Sequence, residues 1–152
     1  MEFETLDKIA DSYIPVLAVV FLFGLAFRAV RKPGERRDLL RVFLFFAGML
    51  IVSYGIKILD RVWHLWASVG LDYSTHTAVA LTFVVSLCAL TRRLWMVTVA
   101  SFVLYALLMV YQKYHTLADI ISTAVPLVFV ALLLGRLLLF QGRGRRPADS
   151  PP

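Results

Sequence analysis

Five apolar stretches, each close to the length of a membrane-crossing helix, constrain this chain more than any other feature. They run near residues 13–30, 39–58, 74–90, 94–111 and 117–140. A helix needs about 20 predominantly apolar residues to cross the hydrocarbon core. Lipid offers no partner for an unpaired backbone group, so open sheets are excluded. The sequence therefore predicts an all-α integral membrane bundle of about five transmembrane helices in a single domain over residues 1–140. With 152 residues, 60% of them hydrophobic, and a mean hydropathy of +0.77, the chain is too apolar for a soluble domain. It is also too long for a single anchor. Residues 141–152, rich in Gly, Arg and Pro, are expected to be a disordered cytoplasmic tail.

The net charge of +6 reads as an orientation signal. Alternate connections divide the basic residues unevenly. Arg28, Arg31, Lys32, Arg36, Arg37, Arg41, Arg92, Arg93, Arg136, Arg143, Arg145 and Arg146 fall on one side, and Lys8, Lys57, Arg61 and Lys113 on the other. The positive-inside rule puts the larger group in the cytoplasm, the N-terminus outside and the C-terminus inside. No basic stripe interleaved with aromatics suggests nucleic acid. The acidic start Met1-Glu2-Phe3-Glu4 lacks the basic region and small-residue cleavage site of a signal peptide, so the first span is expected to be retained. The lone Cys88, within the third span, reads as a small buried apolar residue.

Two polar clusters interrupt this pattern. Asp72-Tyr73-Ser74-Thr75-His76-Thr77 opens the third span, and His115-Thr116-Leu117-Ala118-Asp119 opens the fifth. Ionisable groups at membrane depth are costly and mark sites by default. Each of the three histidines has an aspartate four residues away: Asp60 with His64, Asp72 with His76, and His115 with Asp119. On a helix that spacing would bring the pair onto one face. The topology places all six at the extracytoplasmic face. Spans three and five both begin there, so His76 and His115 lie near helix N-termini, which favour anions. Lys57, Arg61 and Lys113 add positive charge on the same side. Together these residues point to a phosphate-bearing membrane lipid, with His115 held by Asp119 as base or nucleophile and His76 as proton donor. Ser74 and Thr75 suit helix capping, phosphate contact, or both. Asp72 reads as a helix-start residue. His64, within Trp63-His64-Leu65-Trp66, reads as part of an interfacial aromatic belt.

At these residues the chain resembles the type 2 phosphatidic acid phosphatase superfamily. Tyr73-Ser74-Thr75-His76-Thr77-Ala78 is similar to its second block, Pro-Ser-Gly-His-Thr-Ala, without the proline and glycine. His115 and Asp119 hold the spacing of the third block, but Leu108 and Met109 stand where that block has Ser-Arg. Lys57 begins what resembles the first block, in which Lys is followed after six residues by Arg-Pro; here His64 and Leu65 occupy those places, with Arg61 nearby as a displaced substitute. Asp72-Tyr73-Ser74-Thr75-His76-Thr77 also looks like a shortened form of a motif in the sphingomyelin-synthase-like branch. The resemblance implies a histidine nucleophile at His115, an orienting Asp119, a proton-donating His76 and a lipid phosphate or phosphodiester substrate. It implies no metal or other cofactor. The cations expected at the phosphate are Lys57, Arg61 and Lys113, with Ser74 as a hydroxyl contact.

The expected function is thus that of a metal-independent lipid phosphatase. A lipid phosphotransferase, or an eroded relative that binds a lipid phosphate without turnover, uses the same residues. A metal-dependent enzyme is disfavoured because no His-x-x-His, His-Glu-x-x-His or histidine-rich box is present.

Overall fold

The computed structural model describes residues 3–139. The expected tail at 141–152 lies outside the described residues. Five α-helices follow one another: α1 Phe3–Arg31, α2 Arg36–Trp63, α3 Thr75–Leu90, α4 Trp95–Tyr111 and α5 Leu117–Leu139. Short 3-10 turns at Pro33–Glu35, Ala67–Val69 and Arg92–Leu94 lie between them, and there is no strand among the described residues. The protein is a helical membrane bundle. Its α1, α2, α4 and α5 are long and apolar enough to cross a bilayer, while α3 is shorter, at 16 residues.

The span boundaries match the hydropathy reading closely for α3, α4 and α5. The first helix starts ten residues earlier than residue 13. Its opening turns carry Glu4, Asp7, Lys8 and Asp11, so hydropathy discounts them although they are helical. Their placement has a packing cause. Ala10 is buried with Ala80, Tyr105, Met109 and Ile120. Asp7 accepts hydrogen bonds from Gln112 Nε2 at 2.6 Å and from the Tyr114 hydroxyl at 3.2 Å. That carboxylate also raises the Tyr114 hydroxyl above its ordinary pKa, because ionising the phenol would forfeit the bond.

The organising element is α3. It is apolar on every face, the pattern of a helix enclosed by others. It packs against α1, α2, α4 and α5, and most of its side chains are buried. Around it α2 packs on α5, and α1 on both α4 and α2. The consecutive helices α4 and α5 both pack on α3, and Tyr105 and Met109 of α4 share a buried cluster with Ile120 of α5. Phe21, Phe46 and Phe83 form an aromatic cluster between α1, α2 and α3. Gly24 lets α1 approach the end of α3: a Cβ there would lie 2.9 Å from Leu90 Cδ2.

Several small hydroxyls inside the bundle are satisfied within it. Ser53 on α2 and Thr82 on α3 bond at 3.1 Å, and the Thr82 and Ser86 hydroxyls also donate to carbonyls one turn earlier. Such bonds let small polar residues sit at a membrane helix interface without an orphaned group. At the arginine-rich end, Arg28 donates to the Leu90 carbonyl at the close of α3 and to Glu35. The cation thus meets the negative end of a helix dipole.

Candidate functional site

The α2–α3 and α4–α5 connections bring the expected site residues to one end of the bundle. Two helix starts shape it. Ser74 is the N-cap of α3, with its hydroxyl accepting from the Thr77 amide at 3.3 Å and bonded to the Thr77 hydroxyl at 2.8 Å. Its own amide donates to Thr123 Oγ1 on α5 at 3.1 Å. Thr116 precedes α5 in a reciprocal capping box. The Asp119 amide donates to Thr116 Oγ1 at 3.2 Å, and Asp119 Oδ2 accepts from the Thr116 amide at 2.8 Å. The Thr116 hydroxyl also donates to Asp119 Oδ2, at 2.7 Å. The other carboxylate oxygen, Oδ1, accepts from the Asp72 amide at 2.8 Å. Asp119 therefore stitches the start of α5 to the strand-like entry of α3.

This arrangement corrects the pairing read from the sequence. The side chains of the three histidine–aspartate pairs at i±4 do not bond to one another. Each pair straddles a helix end, and the i, i+4 relation holds only where both residues are helical. His115 lies outside α5, whereas Asp119 is inside it. Asp72 precedes α3, whereas His76 is in its first turn. His64 closes α2 in a left-handed conformation at φ 51°, its amide donating to the Asp60 carbonyl. The Asp60 carboxylate instead accepts from the Trp66 amide at 2.8 Å.

The carboxylate beside His115 is that of Asp72, with Oδ2 3.7 Å from His115 Nδ1. That nitrogen is buried and makes no hydrogen bond among the described residues. The histidine side chain is 12% exposed and the aspartate side chain 76% exposed. Asp72, rather than the Asp119 expected from the spacing, is thus the carboxylate 3.7 Å from the His115 ring.

The other expected residues are spread around this centre. His76 is exposed at the first turn of α3 and makes no hydrogen bond or ion pair among the described residues. Lys57 is half-buried, Arg61 and Lys113 are exposed, and none of the three joins an ion pair among the described residues. Ser74 is fully buried, its hydroxyl engaged as the N-cap of α3. No three His, Cys, Asp or Glu side chains gather as metal ligands among the described residues.

Lys113 has a conformational role as well as a charge. It closes α4 at φ 60°, with its amide donating to Val110 and the Tyr114 amide donating to Met109. That is a Schellman motif with lysine where glycine is usual. Thr116, Thr123 and Trp66 are structural contributors that the sequence reading passed over. Trp66 Nε1 donates to Ser122 Oγ at 3.0 Å, and its ring meets Tyr73 edge-on, fixing the α2–α3 turn against α5. The signal for Thr116 was present as Thr-x-x-Asp, the pattern of a capping box.

A cavity of about 610 Å³ lies at the opposite, arginine-rich end, and none of these residues lines it. Compared with family models, curated proteins and solved structures, the chain matches none.

Proposed function

We propose that the protein is a membrane lipid phosphatase acting on a lipid phosphate or diphosphate through a phosphohistidine on His115. The observation that carries this reading is His115 Nδ1 beside the Asp72 carboxylate, where α3 and α5 both begin. In this reading Asp72 orients the ring through Nδ1 and Nε2 is the attacking nitrogen. The 3.7 Å separation is longer than a hydrogen bond and would tighten when substrate binds. Nε2 then attacks phosphorus, the phosphorus–oxygen bond to the lipid breaks, and His76 gives a proton to the departing oxygen. Water attacks the phosphohistidine with His76 as base, releasing phosphate. Lys57, Arg61 and Lys113 supply positive charge at this end, aided by the N-termini of α3 and α5.

The uneven arginine distribution supports an orientation with this end outside the cytoplasm, the N-terminus outside and the C-terminus inside. A lipid alcohol in place of water as acceptor makes phosphotransfer the second catalytic reading.

Saturation of the Asp119 carboxylate, and the absence of arginine at positions 64 and 109, favour a third reading: binding of a lipid phosphate without turnover. Purified protein incubated with phosphatidate, phosphatidylglycerol phosphate or a polyprenyl diphosphate separates these readings. Phosphate release that is lost in His115→Ala, with acid-labile phosphate on wild-type His115, supports the phosphatase. Undiminished release from His115→Ala refutes the histidine mechanism, and stable binding with no release supports the third reading.

A further inference from the structure

The arginine-rich end holds a feature that the proposed chemistry does not use. Between α2, α3 and α5 a cavity of about 610 Å³ runs inward from the end of α3. Its inner part is lined by Phe45, Val85 and Val128. Its rim carries Arg28, Arg41, Arg92 and Arg136, with Asp38 as the one carboxylate. From Val128 to Arg136 is about 12 Å along α5. The lining therefore changes from apolar to cationic over the dimension of an amphiphile.

The rim charge is not cancelled internally. Arg28 is engaged by Glu35 and the Leu90 carbonyl, and Arg41 by Asp38 at 3.1 Å. Arg92 and Arg136 are exposed and join no ion pair among the described residues. Two guanidinium groups thus border an apolar slot in the membrane-spanning part of the bundle. Guanidinium is the side chain best suited to bidentate contact with phosphate oxygens. A soluble anion would leave the apolar depth unfilled, and a neutral lipid would leave the arginines unanswered.

We propose that this slot binds an anionic phospholipid of the surrounding bilayer, with an acyl chain between α2, α3 and α5 and its phosphate at Arg92 and Arg136. Arg41 completes the rim. Ala131 lies within the lining, so a larger side chain there would occupy the space of the chain. The site is independent of His115 and of the chemistry proposed at the other end.

Native mass spectrometry of the full chain in detergent tests this, with phosphatidylglycerol and phosphatidylcholine of identical tails as probes. One phosphatidylglycerol should be retained at concentrations at least tenfold below those needed for phosphatidylcholine. The double variant Arg92→Gln/Arg136→Gln should abolish that preference, and Arg92→Lys/Arg136→Lys should keep part of it. Ala131→Trp should remove retention with every arginine in place, which decides the matter if the double variant does not fold. Equal retention of the two lipids by wild type overturns the proposal. So does unchanged preference in the double glutamine variant, or equal protection against thermal unfolding by inorganic phosphate alone. Retention that appears only after deletion of residues 141–152 also overturns it, since the slot would then belong to the chain's own tail.

Discussion

Replacing Asp119 by alanine should cost far more stability than replacing Asp72 by asparagine, while the effects on turnover should rank the other way per unit of stability lost. The Asp119 carboxylate accepts three hydrogen bonds, from the Thr116 amide, the Thr116 hydroxyl and the Asp72 amide, at 2.8, 2.7 and 2.8 Å. It is also 6% exposed. Loss of a helix cap costs about 1 kcal/mol. Loss of a charge-assisted bond to the amide of another segment costs about 1.5–3 kcal/mol. Thr116 and Asp72 are themselves exposed, so water recovers part of this, and the sum is about 2–4 kcal/mol for Asp119→Ala. Asp119→Asn keeps one acceptor oxygen and should lose roughly half as much. Asp72→Asn removes a mostly exposed carboxylate and should change stability by less than about 0.5 kcal/mol. If Asp72 orients His115, it should nevertheless lower phosphate release by roughly 10–100-fold, the scale of a positioned proton-transfer partner. Equilibrium unfolding in mixed micelles, followed by tryptophan fluorescence, gives the stabilities, and release from the lipid panel gives the turnover. An Asp119→Ala protein as stable as wild type but inactive would refute the structural role argued for Asp119. Unchanged turnover in Asp72→Asn would refute the orienting role of Asp72.

Substitutions at three further positions test local physics. Lys113→Gly should stabilise the protein by roughly 1 kcal/mol relative to Lys113→Ala, because the position is left-handed; melting of the two variants side by side checks it. Gly24→Leu should destabilise the α1–α3 contact by about 1–3 kcal/mol through overpacking against Leu90, with Gly24→Ala milder because Leu90 Cδ2 can move; the same micelle titration measures both. Trp66→Phe should keep the ring contact with Tyr73 but lose the bond to Ser122, at about 1 kcal/mol, and raise amide exchange across residues 64–71.

The helices were legible because hydropathy is a local property: every apolar stretch became a helix, with α3, α4 and α5 starting and ending close to where the residues placed them. The first turns of α1 were not, since Asp7 is ordered by Gln112 and Tyr114, more than a hundred residues away in sequence. The gathering of polar residues at one end was legible from the alternation of spans. Their partners were not, because partner choice depends on where each helix ends. His115-x-x-x-Asp119 and Thr116-x-x-Asp119 overlap in the same five residues. The spacing of the first suggested an oriented histidine, but the start of α5 at Leu117 gives the carboxylate to the second. Ser74 was readable as a cap, a phosphate contact or both, and its buried hydroxyl is found in the cap.

The enclosure of α3 has a consequence for the barrier itself. Sixteen residues of helix measure about 24 Å, less than the roughly 30 Å of a bilayer's hydrocarbon. The four surrounding helices bury most of its side chains, so apart from the slot between α2, α3 and α5 it meets the bilayer only through them. Its ends, one at Asp72–Ser74 and the other at Leu90–Arg92, are where the apolar path through the protein begins and stops. The insulating layer is therefore thinnest along the axis of this bundle, and polar groups at either end sit deeper than the same residues on an isolated span would.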